Sequence, residues 1–91
     1  MKILKVAKAG TLESNDILVM ISPNEEGGID LDLESIVIKQ FGEQIRKVII
    51  DKVNEMGITD IRIKAQDKGA LDFAIAARVE TAIKRAVNDN D

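Results

Sequence analysis

The sequence predicts an α+β fold: a two-layer α/β sandwich in which a four-stranded sheet carries two helices on one face, in the order β-β-β-α-β-α. Three observations predict it. "IDLDLE" and "TDIRIKAQ" alternate apolar and polar residues, the period of a half-buried strand. "ILVMIS" is β-branched and aliphatic, and Pro23 closes it. Two longer stretches carry apolar stripes at helical spacing. Two amphipathic helices must bury their stripes, and a sheet with one apolar face accepts both.

Taken in order, residues 3–13 are expected to form a first strand beside Ile17–Ser22, with Ser14-Asn15 as the hairpin tip and Asn15 tolerating a left-handed conformation. In the second strand Ile17, Val19 and Ile21 share one face, and Leu18 and Met20 the other. Both faces are apolar, so the strand is central or one face meets a partner. "SPNEEGG" is a loop. In the third strand Ile29, Leu31 and Leu33 point inward and Asp30, Asp32 and Glu34 face water.

The first helix takes Ser35 as its expected N-cap and Gly57 as its left-handed stop. Its stripe is Val37, Phe41, Ile45, Val48, Ile49, Val53 and Met56, and Glu43 and Lys47 form an i,i+4 pair. Gly42 inside it costs about 1 kcal/mol relative to Ala, which a close packing contact would explain. The fourth strand points Ile61, Ile63 and Ala65 inward. "DKGALD" opens the second helix, with Asp67 as N-cap, Asp72 in the first turns, and Lys84 and Arg85 at the far end. Its stripe is Leu71, Ile75, Val79, Ala82, Ile83 and Ala86, and "NDND" (88–91) is a solvated tail. Residues 1–91 are read as one domain.

Composition removes several chemistries. There is no His, Cys, Trp or Tyr. No imidazole or thiolate can serve as base, nucleophile or zinc ligand. No nucleophile–base pair or metal cluster is visible, so the chain is not expected to be an enzyme on its own. The net charge of −3 argues against nucleic-acid binding, and Phe41 and Phe73, read as core residues, offer no stacking platform. "MKILKVAKAG" is a poor signal peptide and no apolar run can span a bilayer, so the expectation is a cytoplasmic protein with no membrane partner. Asp30, Asp32 and Glu34 lack the loop pattern of a calcium site and read as a solvated face, and no metal site is expected. Asp67 and Asp72 have no cleft companions and are not read as general acid and base.

The stretch "AGTLESND" holds the one candidate site. On the ordinary reading, Ser14 and Asn15 are turn residues and Glu13 and Asp16 are solubilising charges. On the functional reading, Ser14 is a point of covalent attachment. Such a serine needs no activating partner in its own chain, because a separate enzyme supplies the base and the leaving group. It needs an accessible hydroxyl on a firmly held turn. Glu13 and Asp16 would then repel a phosphodiester and keep an attached arm off the surface.

"AGTLESND" with the strand after it, "KQFGEQI", "DKGALD" and "AARVETAIKRA" together resemble the acyl carrier (gamma) subunit of citrate lyase, in order and over nearly the whole chain. The Asp-Ser-Leu signature of the common helical acyl carriers is absent. The resemblance implies that Ser14 carries phosphoribosyl-dephospho-coenzyme A through a phosphodiester, importing the thiol that the chain lacks. It further implies an alpha subunit that exchanges thiol-bound acetyl for citrate, releasing acetate, and a beta subunit that cleaves the citryl thioester to oxaloacetate and restores the acetyl thioester. A prosthetic-group transferase and an acetylating ligase complete the implied partners. Citramalate lyase is expected to use a related carrier, and malonate decarboxylase a more distant one. "DKGALD" is either a docking surface for these partners or simply a strand-to-helix turn. A different class of reading is an unmodified adaptor that binds a partner through Leu18, Met20 and the open sheet face.

Overall fold

The computed structural model describes residues 1–88. The expected tail at 88–91 lies, beyond Asn88, outside the described residues. The elements are β1 (Ala7–Gly10), β2 (Ile17–Ser22), β3 (Ile29–Ser35), α1 (Ile38–Glu55), β4 (Ile61–Asp67) and α2 (Asp72–Val87). They form a four-stranded mixed sheet in the order β1-β2-β4-β3. β2 is antiparallel to both β1 and β4, while β3 runs parallel to β4, the crossover being made by α1. The predicted fold class and element order are those observed.

Both helices lie on the apolar face of the sheet, α2 against β1 and β2 and α1 against β3. The period of two explains why only one face is apolar. Ile17, Val19 and Ile21 of β2 meet Asp67, Ala65 and Ile63 of β4 in register, and all are buried. Ile45, Ile49 and Val53 of α1 and Ile75, Val79, Ala82, Ile83 and Ala86 of α2 close the core from above. It is aliphatic throughout. Gly42 is buried in α1, where an added Cβ would come within 3.0 Å of the Ile38 side chain. On the exposed face of α1 Lys47 pairs with Asp51, not with Glu43.

Several expected details differ. The first strand is only Ala7–Gly10. Residues before it turn to α2, where the Leu4 and Lys5 amides donate to the Ala86 carbonyl at 2.9 and 3.2 Å and Ile3 is buried. A carbonyl in a helix's last turn lacks an intrahelical donor, and these amides supply it. The hairpin tip is a longer bend, residues 11–16. Phe41 and Leu71, assigned to the core by periodicity, and Phe73, also read as a core residue, are 49%, 64% and 73% exposed. They stand at the starts of the two helices, and Phe41 and Leu71 line a groove there instead of meeting the sheet.

The open sheet face is not an apolar patch. Leu18 is half-buried, and the partly exposed Met20 stands in register between Lys8 and Lys64. Asp30, Asp32 and Glu34 stand opposite Arg62, Lys64 and Gln66, as a solvated acidic row on an edge strand does. Among the described residues no group of three or more His, Cys, Asp or Glu is placed to hold a metal ion, and no helix is long and apolar enough to cross a membrane.

Candidate functional site

Ser14 is exposed at the crest of the 11–16 bend. Its hydroxyl makes no hydrogen bond among the described residues, whereas the backbone on either side of it is held by hydrogen bonds. The bend begins at Gly10, which no other residue could replace. Its φ is +92°, and a Cβ there would fall 1.8 Å from the Ile17 carbonyl oxygen. Inside the bend the Thr11 hydroxyl accepts from the Glu13 amide at 3.2 Å and donates to Asp16 Oδ2 at 2.6 Å. The Asp16 amide donates to the Glu13 carbonyl at 3.2 Å. Asn15 takes the left-handed conformation expected of it, with φ 64°.

Two outside elements hold the bend. From α2, the Arg78 guanidinium makes a two-pronged contact with Asp16, Nε to Oδ1 at 3.1 Å and Nη2 to Oδ2 at 2.9 Å. The Ile17 amide also donates to Asp16 Oδ1, at 2.8 Å. Arg78 first, then Thr11, hold the Asp16 carboxyl down to about 2. Asp16 is therefore a partly buried structural anion with its charge matched, not a solubilising or repelling one; Glu13 remains as the exposed acid beside Ser14.

From the other side, the loop after β4 pairs with the bend through backbone. The Asn15 amide donates to the Lys68 carbonyl and the Lys68 amide to the Asp16 carbonyl, both at 2.9 Å. That loop is "DKGALD", and Asp67 organises it. Asp67 is 2% exposed, closes β4, and accepts from the Gly69 amide at 3.1 Å, the Ala70 amide at 2.9 Å and the Ser35 hydroxyl at 2.7 Å. The Ser35 oxygen in turn accepts from the Val37 amide at 3.1 Å. Neither residue is the helix N-cap it was expected to be; those positions fall to Val37 and Leu71, without side-chain caps. The strands run on through Ser35 and Asp67, so both oxygens serve the strand-to-helix loops instead.

Beside this loop lies an open groove of about 370 Å³ between the starts of α1 and α2, lined by Val37, Phe41, Ile45, Gly69, Ala70 and Leu71. Gln44 and Asp72 bridge it, Nε2 lying 3.0 and 2.9 Å from the two carboxylate oxygens. Asp67 and Asp72 thus have separate partners and do not act as a pair.

Sequence reasoning singled out Ser14 and the "DKGALD" segment, which the structure brings side by side, but missed Arg78, which meets Asp16 from 62 positions away. The one local hint was an arginine interrupting the small and apolar residues of "AIAARVETA".

Residues 4–86 match the ACP family described as malonate decarboxylase delta subunit (MdcD). The citrate lyase acyl carrier protein of Rhodopseudomonas palustris strain BisA53 is 55% identical over 89 residues, covering 98% of this chain and 91% of that one. Its counterpart from Oenococcus oeni strain ATCC BAA-331 / PSU-1 is 53% identical over 91 residues, covering 100% of this chain and 93% of the relative. Among solved structures, a Pseudomonas malonate decarboxylase hetero-tetramer in complex with malonate contains a similarly folded chain. The match has a TM-score of 0.75 at 14% identity, over 92% of this chain and 86% of that one. The class so defined is the acyl carrier, a subunit that does no chemistry of its own. Within it, the chain belongs to the citrate lyase acyl carrier protein family.

Proposed function

We propose that this protein is the acyl carrier of a cytoplasmic citrate lyase complex and that Ser14 is the point where its prosthetic group, phosphoribosyl-dephospho-coenzyme A, is attached. The observation that carries the reading is the contrast at the bend: the backbone on both sides of Ser14 is tied down by hydrogen bonds, while the Ser14 hydroxyl is exposed and has no partner among the described residues. That is a fit for a covalent arm and a poor fit for a structural serine.

Attachment requires only that Ser14 reach into a transferase. Its Oγ attacks the phosphorus of an activated donor; the Oγ–P bond forms as the donor's phosphoanhydride bond breaks. The hydroxyl proton passes to a base on the transferase, and the leaving phosphate takes the bond's electron pair. When bound through Ser14, the group would supply the thiol, and with it the acyl-carrying chemistry, that this chain lacks. The chain's own part is to hold the root of the arm still while leaving the rest free. A short flexible tether gives an effective concentration on the order of millimolar at each active site it can reach. The alpha acyl transferase, beta citryl lyase, prosthetic-group transferase and acetylating ligase are the partners this reading requires. The high identity to citrate lyase carriers favours citrate over citramalate or malonate as the origin of the acyl unit.

The test is intact mass spectrometry of the chain co-expressed with its native lyase subunits and transferase. Wild type should gain one adduct with the mass of the phosphodiester-linked group, and Ser14→Ala should gain none and yield an inactive complex. An active complex containing unmodified chain, or an active Ser14→Ala complex, overturns the reading.

A further inference from the structure

We propose that Arg78 and Asp16 are positioning residues for Ser14: their ion pair holds the 11–16 bend in the one arrangement that a modifying enzyme must meet. The inference rests on Ser14 being the attachment point and adds what makes that serine recognisable.

The bend spans six positions, longer than the usual hairpin connection of about two to five residues. A loop of that length has no single conformation of its own. Here it is fixed around the Asp16 carboxylate, which accepts from the Thr11 hydroxyl, the Ile17 amide and both prongs of Arg78. The two ends of the bend are thereby joined to each other and to the middle of α2. The Arg78 stem supports the same end of the hairpin, its Cδ lying 3.3 Å from where a Cβ on Gly10 would stand. The guanidinium fork sets direction as well as distance, which a point charge does not. The Lys68 backbone bonds brace the opposite flank and are beyond the reach of side-chain substitution. The ion pair is thus the adjustable part of the mount, and Ser14 stands two residues from it.

An enzyme that must bind a fixed bend loses apparent affinity in proportion to the fraction of carrier that holds it. Once bound, the hydroxyl and the donor are in the same place as before. The consequence is a rise in KM for the carrier with little change in kcat.

The experiment follows adduct formation by intact mass with purified native transferase, its activated phosphoribosyl-dephospho-coenzyme A donor and full-length carrier. Arg78→Gln and Asp16→Asn should each raise KM about three- to fivefold at near wild-type kcat, and the double variant should be no worse than either single one. Arg78→Lys should restore only part of the loss. Lys84→Gln, on the same helix but in an exposed ion pair with Glu80, should match wild type. Backbone amide exchange on the same proteins should show residues 13–16 opening faster in both single variants while β2 and β4 stay protected. Folded variants with wild-type KM, or with unchanged exchange across the bend, overturn the latch. If wild type itself takes up no adduct, or Ser14→Ala still does, the attachment reading fails instead, and the exchange measurement decides the latch alone.

Discussion

The Arg78 guanidinium, and after it the Thr11 hydroxyl, hold the Asp16 carboxyl near 2, against an ordinary value of 3.8. A carboxylate whose folded-state value is depressed stabilises the fold above its unfolded value and loses that contribution as pH falls through the folded one. The window here runs from about pH 4 down to about pH 2. The Arg78 side chain is 42% exposed, so solvent screening reduces the contribution to about 1 kcal/mol. Arg78→Gln should therefore cost about that much at pH 6 and almost nothing at pH 2. Urea unfolding of both proteins across this range measures the difference. A gap that stays constant with pH would mean that the arginine acts through packing of its stem and not through the carboxylate.

At the scale of the elements, α1 shows what the sequence states locally. Gly57, read as a left-handed stop, has φ +72°, and the last turn closes around it. The Gly57 amide donates to the Asn54 carbonyl at 3.0 Å and the Ile58 amide to the Val53 carbonyl at 3.2 Å, while the Ile58 side chain enters the core. Gly57→Ala forces an L side chain into that region and should lower stability by about 1 kcal/mol, with no loss of helix content in circular dichroism. Unchanged or higher stability in chemical unfolding would refute the motif's role. The helix starts were less legible. Ser35 and Asp67 are good caps by type, but strand pairing continues through both, and pairing outweighs a local preference. Phe41 and Leu71 have the right spacing for a stripe, yet spacing cannot say where along a helix the sheet beneath it ends.

At the scale of the whole molecule, the alternation of Ile61, Ile63 and Ala65 and the two helical stripes were enough to give the layers, because each pattern repeats within a few residues. The bend was half legible: "GTLES" marks its crest, but the Asp16–Arg78 pair that holds it joins residues 62 apart and follows no local period. The architecture separates the two tasks in space. The core supplies stability and the bend presents Ser14, so each can be damaged alone. Ile63 tests this, being 1% exposed on β4 and flanked in register by Ile21 and Leu31. Ile63→Ala should cost about 2–5 kcal/mol through lost burial and a residual cavity. At a temperature where the variant remains folded, it should still take up the adduct with wild-type KM. Ser14→Ala should do the reverse, within about 0.5 kcal/mol of wild-type stability but without the adduct. Paired thermal unfolding and modification kinetics on these two variants provide the measurement. A folded Ile63→Ala protein that the transferase no longer recognises would show that core packing and bend geometry are coupled, and the separation would not hold.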